Sequence, residues 1–179
     1  MFVALDLPES ARTAIASWRD RLMAGRGDLR PVAPASLHVT LAFLSWQDEE
    51  DAERIAESAF GAATRVGVPR LAAAGVRPLP PRAPRLFALD LEDEDGHAVA
   101  LQAAVSDALA EGCWYRPEKR PFWPHLTLAR VKRGEHAGPL EGPPAPAEPF
   151  EAEGITLYRS TLRPQGALYE PLARTSLPS

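Results

Sequence analysis

Two short segments carry residue types able to do chemistry together: "SLHVTLAF" around His38 and Thr40, and "WPHLTLARV" around His125 and Thr127. In a strand successive side chains point to opposite faces, so a His-x-Thr triplet puts imidazole and hydroxyl on one face and apolar residues on the other. A single such triplet reads most simply as a buried histidine bonded to a backbone carbonyl beside a β-branched threonine. Its repetition after a second proline-containing lead-in changes that reading.

Two imidazoles across one cleft supply a base and an acid near neutral pH, the division of labour that phosphodiester transfer needs. One ring takes a proton from the attacking oxygen and the other gives one to the departing oxygen, each assistance contributing ~10²–10⁴ in rate. The threonine hydroxyls would donate to the non-bridging oxygens as negative charge builds. A metal centre is the rival for paired histidines, but the chain lacks C-x-x-C and H-E-x-x-H patterns, and threonine is a poor zinc ligand. His97 and His136 fall at a helix start and in a glycine-flanked loop. The absence of a G-x-S-x-G elbow also argues against serine chemistry. No metal or other cofactor is expected.

The elements that must position these residues follow from periodicity. A strand over 1–7 leads into a helix whose Ala11, Ile15, Trp18 and Leu22 share one face, opened near Pro8 and Ser10 and closed by the glycines of "AGRGD". Asp48 is read as the N-cap of a second helix burying Ala52, Ile55, Ala56 and Ala59 and stopping near Gly61. Strands are expected over 71–77 and 85–91 around a rigid proline-rich join. A third helix over 95–110 turns Val99, Leu101, Val105 and Leu109 inward in part and has Gly112 as its C′ residue. "GPLEGPPAPAEPF" reads as a surface loop, and "FEAEGITLYRS" and "ALYEPLART" as two closing strands joined by a turn in "TLRPQG".

Strand, helix and His-x-Thr strand thus occur once in each half, with the histidines 87 positions apart. The fold class implied is α+β, one domain over 1–179 with two similar halves facing a shared cleft. The polar pairs would face that cleft and the leucines the core beneath helices.

Composition bounds the function. The 179 residues, 45% hydrophobic and 25% charged, are those of an ordinary globular chain. A net charge of −4 argues against coating nucleic acid through bulk charge. Arg116, Lys119, Arg120, Arg130, Lys132 and Arg133 nonetheless bracket the second motif, either as a phosphate-attracting rim or as scattered solvated charges. The sole cysteine, Cys113, reads as structural at a helix end rather than catalytic. The N-terminus lacks a basic leader and h-region and no stretch reaches the length of a membrane span, so a cytoplasmic protein without membrane partners is expected; a monomer is the expected state.

"LHVTLAFL" together with "RPFWPHLTLARVKR" resembles the paired motifs of the two-histidine phosphoesterases, specifically the RNA 2′,3′-cyclic phosphodiesterases, also called 2′-5′ RNA ligases. The resemblance extends from "MFVALDLPES" through "RLFALDL" to "ITLYRSTLRPQGALYE". It implies a bilobal fold with largely antiparallel sheets, flanking helices and a central groove. Its implied activity is hydrolysis of RNA-terminal 2′,3′-cyclic phosphate to 2′-phosphate, with RNA ends as partner. It identifies His38, Thr40, His125 and Thr127 as the motif residues. The assignment is His38 as acid toward O3′ and His125 as base toward water, an order that pseudo-symmetric halves allow to be reversed. The resemblance also suggests an aromatic surface at Phe43 and a cation at Arg130, although an offset of five from each histidine puts both on the wrong strand face unless the strand ends or twists. For Phe43 a core position is an equal alternative. Tyr158 and Arg159 are further contacts or structural residues. Ser45 departs from a family glycine after Phe-Leu. Alternative readings are a phosphodiesterase for small cyclic nucleotides such as ADP-ribose 1″,2″-cyclic phosphate, and a noncatalytic RNA-end binding module.

Overall fold

The computed structural model describes residues 1–163 and 166–177. In chain order the elements are β1 (Phe2–Asp6), α1 (Glu9–Leu22), β2 (Leu29–Pro31), β3 (His38–Phe43), α2 (Ala52–Ala63), β4 (Arg70–Leu79), β5 (Leu86–Asp93), α3 (His97–Glu111), β6 (His125–Val131), β7 (Phe150–Glu151), β8 (Gly154–Arg163) and β9 (Gly166–Ser176). All strand pairs are antiparallel in one sheet of order β7-β4-β5-β6-β3-β1-β8-β9, with β2 beside β6.

That order is nearly a palindrome. In one half β3 lies beside β1 and β1 beside β8; in the other β6 lies beside β5 and β5 beside β4. The two His-x-Thr strands are the innermost of each half and meet through the pair Val39 with Leu126. Helices cover one face of the sheet: α2 packs on α3, β8 and β9, and α3 on β3, β4 and β5. Val39, Leu41, Leu126 and Leu128 are buried in this layer with Ile55, Leu101, Val105 and Leu109. The leucines lie in the core, as expected, and the opposite face is left for the polar residues.

Several local expectations need correction. The alternating pattern around His38 reads as a strand over 34–46, but residues 34–36 form a 3₁₀ turn and the strand spans only His38–Phe43. Asp48 makes no side-chain cap bond and opens a 3₁₀ turn over Glu49–Asp51, with α2 starting at Ala52 and running past Gly61 to Ala63. Pro78 lies inside β4 opposite Phe87; β7 covers only Arg70 and Leu71 on the other side, so this end of β4 is an edge where a missing N–H is tolerated. Gly112 keeps a right-handed φ of −75°, and Cys113 takes the left-handed position at 61°. Cys113 is exposed, and Val99 is exposed rather than turned inward. The loop before Phe150 matches its reading, while the turn expected at Pro164 and Gln165 lies outside the described residues. Among the described residues, no helix is long and apolar enough to cross a membrane.

Candidate active site

A cleft of about 160 Å³ on the open face of the sheet is lined by His38, Thr40, His125 and Thr127 together, with Phe43 and Arg130 at its sides. The six side chains singled out from sequence therefore converge.

The strand-parity objection to Phe43 and Arg130 is removed by two β-bulges. Ala4 pairs with Thr40 but Val3 with Ala42, which leaves Leu41 as an extra residue in β3. Ala88 pairs with Thr127 but Phe87 with Ala129, which leaves Leu128 as the extra residue in β6. Each bulge lies three residues past a histidine and adds one to the count, returning the fifth position to the histidine's face. Leu41 and Ala42 are consecutive buried residues, as are Leu128 and Ala129, which regular alternation forbids. Phe43 is 60% exposed, so the core reading of this residue is overturned.

Both imidazoles are held alike. His38 Nδ1 lies 2.8 Å from the Ser36 carbonyl and His125 Nδ1 2.8 Å from the Trp123 carbonyl. A carbonyl only accepts, so each Nδ1 carries a hydrogen and Nε2 remains for substrate. The surroundings differ. His38 packs among Phe2, Tyr158 and Tyr169, with centroids 4.9, 6.1 and 5.3 Å away. Burial pulls its pKa below the ordinary histidine value, aided by the positive field of His125 and Arg130 and opposed by the Ser36 carbonyl and Asp6. His125 instead stacks on Trp123, whose ring lies 4.7 Å from the Arg77 guanidinium carbon.

A carboxylate stands one strand behind each histidine. Asp6 is opposite His38 across β1 and β3, and Asp90 is opposite His125 across β5 and β6. Sequence reasoning missed both, although "ALDL" recurs at 4–7 and 88–91 and marks them. Asp6 is 4% exposed and accepts from the Thr156 hydroxyl at 2.6 Å and the Tyr158 hydroxyl at 2.9 Å, with Arg174 at 3.2 Å. Burial and the Asp6 charge push the Tyr158 hydroxyl up to about 12, so it stays a donor at neutral pH. Asp90 pairs with Arg77 at 2.6 Å through one oxygen, while its other oxygen is buried without a hydrogen-bond partner.

The remaining candidates separate. Arg159 pairs with Glu49 and Glu170, Lys132 donates to the Gly27 carbonyl, and neither lines the cleft. Of the predicted basic rim, Arg130 lines the cleft and Arg120 an adjoining groove. His97 opens α3 beside Asp95. Ser45 adopts φ 59°, a left-handed conformation in which glycine is the unstrained residue. Among the described residues no group of three His, Cys, Asp or Glu side chains forms a metal cradle.

A family model described as the 2′-5′ RNA ligase superfamily matches residues 7–162. The chain belongs to this superfamily. Within the 2′-5′ RNA ligase superfamily, it is 33% identical to the RNA 2′,3′-cyclic phosphodiesterase of Thermus thermophilus, over 99% of this chain and 89% of that protein. It is 31% identical to the Escherichia coli protein of the same name, over 99% and 96%. The crystal structure of Escherichia coli LigT complexed with 3′-AMP superposes with a TM-score of 0.77 at 27% identity, covering 99% of this chain and 97% of LigT. The α+β, largely antiparallel two-histidine phosphoesterase architecture expected from the sequence is that of these superfamily members.

Proposed function

We propose that this protein hydrolyses the 2′,3′-cyclic phosphate at RNA 3′ ends to a 2′-phosphate, by His/His general acid–base catalysis that calls on no metal. The convergence of His38, Thr40, His125 and Thr127 on one cleft carries this reading, and the relatives named RNA 2′,3′-cyclic phosphodiesterase support it.

A 2′-phosphate forms when the bond from phosphorus to O3′ breaks. In-line displacement puts water and O3′ on opposite sides of phosphorus, matching two rings contributed by strands from opposite halves. His125 takes the proton of water through Nε2, and protonated His38 gives one to O3′. Burial that lowers the pKa of His38 makes its protonated form the stronger donor. Thr40 and Thr127 donate to the non-bridging oxygens, Arg130 neutralises their charge, and Phe43 offers an aromatic face to the terminal base. When an RNA 5′-hydroxyl replaces water, the same displacement yields a 2′-5′ linkage.

The test is single-turnover opening of oligonucleotides ending in 2′,3′-cyclic phosphate, with identification of the product isomer. Replacement of either histidine, His38→Ala or His125→Ala, abolishes opening, and EDTA leaves the parent rate unchanged. Full activity in both variants, sensitivity to EDTA, or a 3′-phosphate product would refute the mechanism. Exclusive turnover of ADP-ribose 1″,2″-cyclic phosphate would assign the same residues to a small nucleotide, and binding without turnover would leave an RNA-end module.

A further inference from the structure

The catalytic cleft is continuous with a second, larger groove of about 530 Å³, because Thr40, Phe43 and His125 line both. This groove runs along the His125 side: Trp123 and His125 wall it, whereas His38 and its neighbours Phe2 and Tyr169 border the catalytic cleft alone. Its far wall holds Tyr115 and Phe122, with Arg77, Arg120 and Glu118 at the margin. Trp123 is stacked on His125 with the Arg77 guanidinium over its ring, and Phe43 serves the donor base in the proposed arrangement, leaving Tyr115 and Phe122 as the remaining rings that line the groove. Glu118 is paired with Arg120 at 3.0 Å. Aromatic rings interleaved with arginines, in a space within the range of small-molecule sites, fit a nucleoside and its phosphate.

We infer that this groove is an acceptor site, holding the nucleoside of a second RNA strand whose 5′-hydroxyl attacks the cyclic phosphate. The inference rests on the proposed function and on His125 being the base. The attacking oxygen must arrive on the side of the base, and the groove opens there. In the step, the bond from O5′ to phosphorus forms and the bond from phosphorus to O3′ breaks. The 5′-hydroxyl proton passes to His125 and the proton of His38 passes to O3′, so the exchange balances without any co-reactant. Without an acceptor, water uses the same approach and hydrolysis results.

The experiment gives the full chain a 2′,3′-cyclic-phosphate oligonucleotide with a 5′-hydroxyl oligonucleotide, and quantifies ligated against hydrolysed product. Arg120→Glu and Tyr115→Ala lower the ligated yield about tenfold at limiting acceptor, and excess acceptor restores it in Tyr115→Ala. Both variants open a mononucleoside 2′,3′-cyclic phosphate at the parent rate. Parallel loss of ligation and hydrolysis would place the donor strand in the groove and overturn the inference. So would unchanged ligation in both variants, or a parent enzyme that opens cyclic phosphates well yet never ligates at millimolar acceptor. A parent inert toward every cyclic phosphate would refute the proposed function itself, and this inference with it.

Discussion

Trp123 lies flat on the imidazole of His125, with ring centroids 4.0 Å apart and planes 13° from parallel. The Arg77 guanidinium lies over the same indole, 4.7 Å from its centroid, and is held by Asp90, the carboxylate one strand behind His125. The ring is therefore fixed by its Nδ1 bond and by a clamp of three side chains. Arg77→Ala frees the indole and leaves the partly buried Asp90 unpaired, so we predict a fall in kcat of about tenfold, the scale on which a small misplacement of a catalytic group acts. Arg77→Lys keeps the charge but not the planar stack and recovers only part of that loss. Single-turnover rates at saturating substrate measure this; a change confined to KM would contradict the clamp.

The pH profile separates the two histidines. Burial lowers the pKa of His38, so its protonated form is depleted on rising through pH values below its ordinary ~6.5. If His38 is the acid, the alkaline limb of kcat/KM for the free enzyme falls below that value; if it is the base, the acid limb does. The same shift affects stability. The unfolded chain binds a proton at this site more readily than the folded one, so stability from His38 is complete above pH ~6.5 and is lost as pH falls through the lowered folded value. Urea midpoints should drop between pH 7 and pH 5 in the parent, and drop less in His38→Gln.

Arg130 reaches the cleft only because Leu128 bulges out of the ladder. In the proposed arrangement Arg130→Ala removes a charge-assisted contact to the phosphate, which predicts a loss of ~1.5–3 kcal/mol in kcat/KM, or about 10- to 150-fold. The parent should also lose activity steeply with added salt while the variant loses less. Equal salt dependence would mean that Arg130 does not meet the phosphate.

Asp6 is the buried anchor of the first half, with Thr156, Tyr158 and Arg174 around its carboxylate. Asp6→Ala strands the buried Thr156 hydroxyl and the partly buried Tyr158 hydroxyl, while half-exposed Arg174 keeps Glu153, and is expected to cost about 2–4 kcal/mol of stability. Denaturant unfolding gives the number. A loss well under 1 kcal/mol would show that the network is replaceable by solvent.

The parts of the site legible in the sequence were those encoded by strand alternation. His38 with Thr40 and His125 with Thr127 share faces because they lie two apart, and their leucines fall in the core for the same reason. Phe43 and Arg130 could not be placed that way, since a bulge leaves no mark in the alternation beyond two adjacent apolar residues, Leu41 with Ala42 and Leu128 with Ala129. Asp6 and Asp90 became meaningful only when register set them opposite the histidines. The offset of α2 from Asp48 has a local cause: a 3₁₀ turn over Glu49–Asp51 precedes the helix, and acidic residues suit either kind of helical N-terminus.

Phe43 offers the sharpest separation of binding from folding. Its ring is 60% exposed at the junction of the cleft and the groove beside it, so truncation removes little buried area. Phe43→Ala should leave the melting temperature within about 2 °C of the parent, as surface substitutions usually do. A base stacked on the ring contributes ~1–3 kcal/mol, so KM for a nucleoside 2′,3′-cyclic phosphate should rise about 5- to 150-fold. kcat should hold, because the ring touches neither the attacking nor the leaving oxygen in the proposed arrangement. Phe43→Trp should retain or tighten binding, and Phe43→Leu should fall between, giving a series ordered by aromatic surface. Equal KM across that series would show that the base lies elsewhere, and a falling kcat with constant KM would make Phe43 a positioning residue for the phosphate instead.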